Sequence, residues 1–529
     1  MTLLIVPVAG QTPDELRAQV AEAISDGAEA IELRVDLMGE IAPDDLRALR
    51  TSTPAAIPFI LTIRSAAEGG AWDGDDDERV SRLIELGPFV DYIDVELSLW
   101  LRSANIRQKI ELALHRADQI SQEEGKEVIE FAARRKLLLS RHDLVTRSTS
   151  LHRHWLEMVD EPACMVPKLA WPARSIRDNF EALELIHSSP KRPIVICMGT
   201  DGLASRILAR KFDAFGTFAA LRLGMETAPG QIPAAELKRR YRWDKINRET
   251  AVYGVIGYPV GHSLSPVVHN TAFDELKFNA VYLPLPVTPS YEAFKAFMVE
   301  VLARPWLDFR GFSVTLPHKE NALRFIREAG GAIEKDAEWL GAINTICLGR
   351  DGKLLGTNTD YPAARLCLRE ALPGLESVPH PAKALVLGAG GIARAVVAAL
   401  VDIQLHVTIC NRTPDRAIVL AQTFGCEHRP WEERARLDAN LIVNCTSVGL
   451  APDSSVSPLP AEALRAGQFV FDTVYRPLET RLLRDARAAG CHVLDGLTLF
   501  LYQAQAQLRH WTGRTVSIEL LRGAAVEAL

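Results

Sequence analysis

Lysine and histidine side chains in the first half of the sequence could carry out imine chemistry. Lys168 lies in the stretch MVPKLAW and His142 in LSRHD, each at the end of an apolar run. A lysine amine forms an imine with a ketone when desolvation or nearby cations keep it deprotonated, and the candidate cations are Arg34, Arg64 and Arg206. The imine draws electrons from the adjacent carbon, and a histidine can remove the proton there near neutral pH. These residues predict either an elimination or an aldol cleavage.

A lysine and an aspartate in the second half have the chemistry of proton transfer. Lys319 follows the strand-like stretch GFSVTLP, and Asp360 lies in GTNTDYPAA. Beside a nicotinamide, such a pair could move the proton that accompanies hydride transfer, although either residue alone is more often a surface charge. Ser263 and Ser265 precede a predicted helix in GHSLSPVVHN. Their hydroxyls could hold a carboxylate with help from the helix N-terminus, or could equally cap the helix.

The stretch KALVLGAGGIARAVVAAL (383–400) has the pattern of a strand, a glycine-rich turn and a helix of small residues, which is how a dinucleotide site begins. Gly388 permits the tight turn, Gly390 lets the backbone approach a pyrophosphate, and Ala393 lets the helix pack closely on the strand. The predicted loop comprises Gly388, Ala389, Gly390, Gly391, Ile392 and Ala393.

The strand that follows this loop indicates which dinucleotide is bound. An NAD site places Asp or Glu at its end, on the ribose hydroxyls. This sequence has Asn411, Arg412 and Thr413 there, with Arg416 soon after. Because a guanidinium can pair with the extra phosphate of NADP, the predicted cofactor is NADP.

The elements that position these residues form two series. Over residues 1–235, eight apolar strands alternate with amphipathic helices, and this rhythm predicts an α/β fold with a closed (β/α)8 barrel. The eight strands are predicted at 3–9, 30–37, 58–64, 89–97, 136–142, 164–170, 193–199 and 218–224. Charged residues stand at or near the C-terminal ends of several strands, the rim that carries the active site in such barrels: Glu32, Arg34, Arg64, His142 and Lys168.

The second series predicts a two-lobed dehydrogenase-like fold after a polar linker at 236–250. We expect a substrate-binding domain at 251–355, completed by 496–529, and a Rossmann-type NADP domain at 356–495.

Composition and charge exclude several classes of protein. The net charge of −7 gives no reason to expect a nucleic acid or an anionic membrane as partner, and no uncharged apolar run is long enough to span a membrane. The eight cysteines are scattered without CxxC pairs or metal-like spacing, which predicts reduced thiols and no metal site. With no basic or Ser/Arg-rich leader at the N-terminus, we expect a cytoplasmic protein. The oligomeric state is left open.

The motifs of the second half occur in the order seen in shikimate dehydrogenases. GYPVGHSLSPVVHN, GFSVTLPHK, GAINT, GTNTD, GAGGIARA, NRT, NCTSVG, DTVYRPLET and YQAQAQLRHWTG span about 252–513 and resemble that family closely. The resemblance implies that Ser263 and Ser265 bind the substrate carboxylate and that Lys319 and Asp360 are the catalytic pair. It also implies a ring-hydroxyl site at Thr315, Asn344 and Gln503, and further cofactor contacts at Thr446 and Gly496.

The first half resembles type I 3-dehydroquinate dehydratases through ELRVD, TIRSAAEGG, SRHD, PKLA, CMGTDGLASR and TAPGQI. This resemblance favours elimination: Lys168 forms the imine with 3-dehydroquinate, His142 moves the protons and Glu68 orients His142. It further implies carboxylate binding by Arg206 and Gln231, a loop hydroxyl from Thr227, and a closed site fixed by Glu32, Arg34 and Arg64.

Together the halves resemble a bifunctional dehydratase–dehydrogenase fusion that makes 3-dehydroshikimate and reduces it with NADPH. Two alternatives stay open at this point. One is an NAD-dependent quinate/shikimate dehydrogenase that works toward oxidation, against which Arg412 stands. The other is a metabolite-sensing regulator with dead sites, against which the presence of Lys168, His142, Lys319 and Asp360 stands.

Overall fold

The structure, a computed structural model, describes residues 1–123, 136–371 and 382–529. The chain divides into two units, Met1–Thr250 and Ala251–Leu529.

The first unit is built on eight parallel strands. They are β1 Leu3–Val8, β2 Ala30–Arg34, β3 Phe59–Thr62, β4 Tyr92–Glu96, β5 Lys136–His142, β6 Cys164–Pro172, β7 Ile194–Met198 and β8 Gly216–Phe218. The sheet order is β7-β6-β5-β4-β3-β2-β1-β8, and the Phe215 N–H donates to the carbonyl of Pro193 (2.8 Å) where β7 and β8 begin. The predicted (β/α)8 barrel is confirmed.

Helices follow the strands around this barrel. They are α1 Pro13–Ser25, α2 Pro43–Ser52, α3 Asp76–Leu86, α4 Leu97–Arg102, α5 Ala104–Glu123, α6 Leu151–Asp160, α7 Asp178–Ser188, α8 Leu203–Leu208 and α9 Ala234–Tyr241. The start of α1 shows the local chemistry: the Thr12 hydroxyl accepts the Glu15 N–H (3.2 Å), and Pro13 occupies the first turn.

The strands are apolar almost throughout because parallel strands of a barrel are covered on both faces. Leu4, Ile5 and Val6 of β1 are fully buried, and Ile5 belongs to a hydrophobic cluster that also includes Ile60, Leu138 and Ile194 from other strands. Buried polar residues such as Glu32, Asp94 and Lys168 interrupt this apolar pattern inside β2, β4 and β6.

The eighth strand was predicted wrongly at 218–224. It covers Gly216–Phe218 instead, and beyond it Ala220 makes only an isolated bridge to Pro233. A Cβ at position 216 would lie 2.9 Å from the carbonyl oxygen of Leu3, so glycine allows the strand to approach β1 there. The apolar pattern after Phe218 had suggested a strand, but Leu223 is exposed in the loop that follows.

The first sheet of the second unit is mixed. Its strands are β9 Ala251–Gly257, β10 Ala280–Pro286, β11 Phe309–Val314, β12 Ala332–Ile333, β13 Thr345–Leu348 and β14 Leu354–Thr357, in the order β10-β9-β11-β13-β14-β12. The helices up to residue 366 are α10 Ser265–Glu275, α11 Tyr291–Leu302, α12 Lys319–Glu328, α13 Lys335–Leu340 and α14 Asp360–Leu366.

The other sheet is parallel and has the order β17-β16-β15-β18-β19-β20. Its strands are β15 Lys383–Leu387, β16 His406–Cys410, β17 Glu427–Arg429, β18 Leu441–Asn444, β19 Phe469–Asp472 and β20 His492–Leu494. The accompanying helices are α15 Gly391–Asp402, α16 Pro414–Phe424 and α17 Arg481–Ala488. From the centre of the sheet, β15, β16 and β17 follow one another to one edge, and β18, β19 and β20 follow one another to the other edge. This is the Rossmann strand order, whose ligand crevice lies between β15 and β18.

The last two helices, α18 Gly496–Thr512 and α19 Ile518–Glu527, return to the first sheet. Leu501 and Leu508 of α18 and Leu521 of α19 belong to one buried cluster with Tyr253 of β9 and Phe273 of α10.

Candidate active sites

Lys168 of β6 is buried between two carboxylates. Its Nζ lies 3.0 Å from Oδ2 of Asp94 on β4 and 3.2 Å from Oε1 of Glu32 on β2. The ring of Phe218 covers another side, with its centroid 4.3 Å from Nζ. The three residues stand inside the alternate strands β2, β4 and β6, two or more positions before the strand ends, and the inward-pointing side chains of alternate strands share a layer of the barrel interior. The result is a desolvated amine whose positive charge is compensated by anions.

Arg64 extends this cluster around Asp94. Its guanidinium donates to Oδ2 of Asp94 (2.8 Å) and to the Ser140 hydroxyl (2.7 Å), which itself donates to Oδ1 of Asp94 (2.5 Å). Burial alone would raise the pKa of Asp94, but Arg64 and Lys168 outweigh it and lower that pKa to about 2. Asp94 is therefore ionised throughout the neutral range.

His142, at the end of β5, is held by Glu68. Oε2 of Glu68 accepts the backbone N–H of His142 (3.0 Å) and lies 3.1 Å from its Nδ1. Burial, reinforced by the cations Arg64 and Lys168, lowers the pKa of His142 well below its ordinary value. The imidazole is neutral at pH 7, and with Nδ1–H directed at an ionised Glu68, Nε2 carries the free lone pair.

The carboxyl group of Glu68 is itself unusual. Burial raises its pKa to about 7, although Arg64 and Arg141 act in the opposite direction. Near neutral pH this group therefore changes between a form that only accepts hydrogen bonds and one that donates.

Arg206 of α8 is a buried cation that has no carboxylate partner among the residues that the structure describes. It is 1% exposed and donates to the carbonyls of Phe218 and Pro229, both at 3.2 Å. Burial lowers the pKa of its guanidinium to about 10. An uncompensated buried cation at the rim suits an anionic ligand. Arg34 differs, because both oxygens of Asp36 already hold it, at 3.0 and 2.7 Å.

Thr227 and Gln231 lie together in the loop after β8. The Thr227 N–H donates to Oε1 of Gln231 (2.9 Å), and Nε2 of Gln231 donates to the Thr227 hydroxyl (3.3 Å). The loop is anchored where the Gly199 N–H donates to the carbonyl of Pro229 (3.0 Å). These two side chains bond to each other across Pro229, whose carbonyl accepts a hydrogen bond from Arg206.

In the second unit, Lys319 and Asp360 form a direct ion pair. They are the first residues of α12 and α14, and Nζ of Lys319 lies 2.6 Å from Oδ2 of Asp360. Asp360 is buried, and its backbone N–H donates to Oδ1 of Asn358 (3.0 Å). The glycine-rich loop lies against this pair, since a Cβ at Gly391 would be 2.9 Å from Cδ of Lys319.

The two serines are placed at the start of α10. Both serines were predicted in the turn before the helix, but Ser265 is the first residue of α10. Its N–H donates to the hydroxyl of Ser263 (3.2 Å). The pair thus lies at a helix N-terminus, where an anion would be favoured.

Of the three predicted ring-hydroxyl residues, Asn344 is buried and already bonded. Its Nδ2 donates to the hydroxyl of Thr359 (3.0 Å), and its Oδ1 accepts the Thr359 N–H (2.8 Å). Thr315 and Gln503 are half-buried. Gln503 donates to the carbonyl of Phe500 (3.0 Å), and no side-chain bond joins it to Thr315 or Asn344 in the described part of the chain.

The glycine-rich loop stands at the crevice between β15 and β18. Gly388 has a φ of +112°, and a Cβ there would lie 2.9 Å from the carbonyl carbon of Cys445, so only glycine suits this turn. A Cβ at Gly390 would meet nothing within 4 Å, which leaves open space above the backbone. With α15 beginning at Gly391, these residues can hold the pyrophosphate of NADP.

The other predicted cofactor residues lie around this loop. Arg412 and Arg416 follow β16, are exposed, and make no ion pair with any residue the structure describes. Asn411 donates to the carbonyl of Thr413 (2.8 Å), which shapes the turn before α16. The Thr446 hydroxyl donates to Oδ1 of Asn444 (2.7 Å) after β18. Gly496 starts α18, where a Cβ would lie 2.4 Å from the carbonyl oxygen of Thr473.

Two further observations concern membrane spans and metal ligands. Within residues 1–123, 136–371 and 382–529, no helix combines the length and the hydropathy needed to cross a membrane. In the same residues no group of His, Cys, Asp or Glu side chains is arranged to hold a metal ion.

Three family models match successive parts of the chain: type I 3-dehydroquinase at 4–248, shikimate dehydrogenase substrate binding domain at 255–346, and shikimate/quinate 5-dehydrogenase at 375–448. The chain is also 33% identical to the chloroplastic bifunctional 3-dehydroquinate dehydratase/shikimate dehydrogenase of Arabidopsis thaliana, over 98% of this chain and 83% of the relative. This chain belongs to that bifunctional family.

Single-function proteins match the second half of this family member. The NADP(+) shikimate dehydrogenase of Pelobacter propionicus is 40% identical over 53% of this chain and 96% of its own length. The crystal structure of shikimate 5-dehydrogenase from Thermus thermophilus, in complex with NADP(H) and shikimate, is 39% identical, covers 53% of this chain and 100% of its own, and has a TM-score of 0.47.

Sequence reasoning missed three buried residues of the bifunctional chain: Asp94 and Ser140 around Lys168, and Gln507 on α18. Gln507 donates to the carbonyl of Asn344 (3.2 Å) and accepts the hydroxyl of Ser313 (2.7 Å). Its spacing of four residues from Gln503 places both on one side of the helix, which was the available signal.

Proposed function

We propose that this chain dehydrates 3-dehydroquinate to 3-dehydroshikimate at the barrel and reduces that product to shikimate with NADPH in its second unit. One observation carries the proposal. A single chain, matched over 98% of its length by a bifunctional relative, contains both a buried lysine beside a neutral histidine and a lysine–aspartate pair beside a glycine-rich loop. We assign the dehydratase to 1–250, substrate binding to 251–355 with 496–529, and NADP binding to 356–495.

At the barrel, Lys168 attacks the C3 ketone of 3-dehydroquinate and forms an iminium with loss of water. Nε2 of His142 then takes a proton from C2, which gives an enamine, and returns a proton to the departing C1 hydroxyl, which leaves as water. Hydrolysis of the resulting iminium consumes one water and restores Lys168. The net change is the loss of one water from the substrate.

Glu68 acts on this sequence through His142. The hydrogen bond from Nδ1 selects the tautomer with a basic Nε2, and the backbone contact fixes the end of β5. Arg206 would bind the substrate carboxylate, because its buried charge lacks an anionic partner within the described residues. Thr227 and Gln231 then hold the loop over that carboxylate, while Glu32, Arg34 and Arg64 line the ring side.

In the second unit, bound NADPH supplies the hydride. Lys319 delivers the proton that the ketone oxygen acquires, and Asp360, at 2.6 Å, holds Nζ in place. Ser263 and Ser265 bind the carboxylate at the N-terminus of α10, and Thr315, Asn344 and Gln503 accept the ring hydroxyls. Arg412, with Arg416 beside it, pairs with the extra phosphate of NADP.

A coupled assay tests the whole proposal. Purified protein is mixed with 3-dehydroquinate and NADPH, and NADPH consumption is followed, then repeated with NADH. Consumption from 3-dehydroquinate alone requires both sites. Lys168→Ala should stop it and abolish borohydride trapping, while reduction of supplied 3-dehydroshikimate continues. Lys319→Ala should also stop NADPH consumption, with 3-dehydroquinate or with supplied 3-dehydroshikimate, while borohydride trapping at Lys168 continues.

The alternatives predict other results in the same assay. A regulator with dead sites would turn over neither substrate yet show a thermal shift with them, and a catabolic enzyme would prefer NADH. We further propose that the protein is cytoplasmic, supported by eight free cysteines, five of them buried. Cell fractionation tests that location.

A further inference from the structure

Asp94 lies directly beside the atom that becomes the imine nitrogen. Its Oδ2 is 3.0 Å from Nζ of Lys168, closer than Oε1 of Glu32 at 3.2 Å. Asp94 is 3% exposed and stands on β4, two strands away from Lys168 on β6. No step of the proposed dehydration uses it for proton transfer, so its buried charge calls for a different role.

The surroundings of Asp94 keep it an anion. Arg64 donates to Oδ2, and Ser140, itself a hydrogen-bond acceptor of Arg64, donates to Oδ1. A carboxylate with these donors is a poor proton acceptor, as its pKa of about 2 also indicates. Asp94 can therefore supply negative charge without taking the proton of the lysine.

The charge on the nitrogen shows where this anion would act. The lysine ammonium must lose a proton before its nitrogen attacks the ketone, and a proton is taken up again when the carbinolamine loses water. Overall, ammonium and ketone give one iminium and one water, so the nitrogen carries one positive charge before and after condensation. When His142 removes the C2 proton, the nitrogen becomes a neutral enamine. Departure of the C1 hydroxyl, protonated by His142, then restores the positive charge on nitrogen.

We propose that Asp94 is the counter-anion of the Lys168 iminium, a positioning residue that keeps the imine nitrogen protonated and stabilises the charge that returns to it as the C1 hydroxyl leaves. This inference rests on the proposed imine chemistry and adds a role for a residue that forms no bond with the substrate. A protonated imine is the electron sink that elimination needs, and an anion fixed at 3.0 Å favours it over the neutral imine.

Other charged or titratable groups belong to the same buried cluster around Lys168 and Asp94. They are Glu32 and Arg34 from β2, Arg64 and Glu68 from the segment after β3, Glu96 from β4 and His142 from β5. Among the residues that the structure describes, Glu32 is the one rival for the role, because it too contacts Nζ. The test must therefore separate Asp94 from Glu32.

The measurement is the pH dependence of dehydratase kcat, with reductive trapping by cyanoborohydride, which acts on the protonated imine. An opposite charge at this distance shifts a pKa by about one to three units, so Asp94→Asn should lower the pKa of the iminium by that much. The alkaline limb of kcat, and the alkaline limb of trapping, should move to lower pH by the same amount. Activity should return as the pH is lowered. Ser140→Ala keeps the charge of Asp94 and should move the limb by less than about half a unit.

Asp94→Ser is the second variant, for the case that the asparagine amide of Asp94→Asn does not fit the site. Its side chain is smaller and neutral and leaves room for a water molecule. Reduction of 3-dehydroshikimate by the same polypeptide serves as the control for a folded second unit, and circular dichroism as the control for the barrel. An unshifted limb in both Asp94 variants, or a shift in Glu32→Gln alone, overturns the inference. Wild-type protein that is not trapped at Lys168 would instead refute the proposed function.

Discussion

Gly391 lies against the side chain of Lys319. A Cβ at position 391 would be 2.9 Å from Cδ of the lysine, and nothing else lies within 3.4 Å of that point. The last glycine of GAGG thus makes room for a side chain of the acid–base pair, while Gly388 makes the turn and Gly390 leaves the space above the loop open. The nucleotide loop and the lysine share one surface.

Gly391→Ala should therefore damage catalysis more than folding. The lysine stem is flexible and can move by a few tenths of an ångström, so the melting temperature should change little. Its Nζ would then leave Asp360, and we expect kcat for reduction of 3-dehydroshikimate to fall by about tenfold to a hundredfold. Gly523→Ala, in a helix where a Cβ meets nothing, is the matched control. An unchanged kcat would show that the lysine does not need this space.

The pH dependence of the dehydratase should reveal Glu68. His142 needs an ionised Glu68 at Nδ1, and burial raises the pKa of Glu68 to about 7. Because protonation occurs below that value, kcat/KM should fall as the pH decreases through about 7. Glu68→Gln should give a plateau lower by about tenfold to a thousandfold without that acid limb. A limb that persists in the variant would assign the titration to another group.

Arg206→Met should separate binding from stability. The variant removes a cation whose burial is uncompensated by any carboxylate in the described structure, so the melting temperature should stay within about 3 °C of wild type or rise. Dehydratase kcat/KM should fall at least about a hundredfold through loss of the carboxylate contact. Reduction of 3-dehydroshikimate is the internal control. A large loss of stability with retained activity would mean that Arg206 has a structural role, through its hydrogen bonds to the carbonyls of Phe218 and Pro229.

Cofactor choice should depend on Arg412. A charge-assisted contact with phosphate contributes about 1.5 to 3 kcal/mol, so Arg412→Ala should raise KM for NADPH by about tenfold to a hundredfold and leave KM for NADH unchanged. Arg416→Ala, which changes a second exposed arginine four residues away, is the matched variant and should have a smaller effect. If each variant changed KM for NADPH and KM for NADH equally, neither arginine would contact the extra phosphate of NADP.

The barrel and the two-lobed fold followed from strand and helix periodicity. His142 was predictable because it ends an apolar run, and Lys168 because it is a charged residue within an otherwise apolar strand of a predicted barrel, whose strands share one active rim. Asp94 was not, because it lies inside β4 in a stretch that also contains Asp91 and Glu96. The sequence does not show which of these carboxylates faces Arg64, 30 residues earlier.

The remaining gaps have related causes. Gln507 contacts Asn344, 163 residues away, and only the docking of α18 on the first sheet creates that contact. The eighth strand was misplaced because Phe218 is followed by more apolar residues, and the hydrogen bonds that define the strand come from β1. Local pattern indicates which residues are buried, but the partner of a polar side chain depends on tertiary packing.

The return of α18 and α19 to the sheet that begins at β9 has a consequence for synthesis on the ribosome. All eight barrel strands have been made by residue 218. Strands β1 to β7 lie side by side in the order in which they are made, and β8 then pairs with β1. The apolar faces of β9 and α10, by contrast, are covered by Leu501, Leu508 and Leu521, which are translated more than 200 residues later. At about 5 to 20 residues per second, that surface waits roughly 10 to 50 seconds for its cover. Chaperones that bind nascent chains should therefore associate with the second unit for longer than with the first.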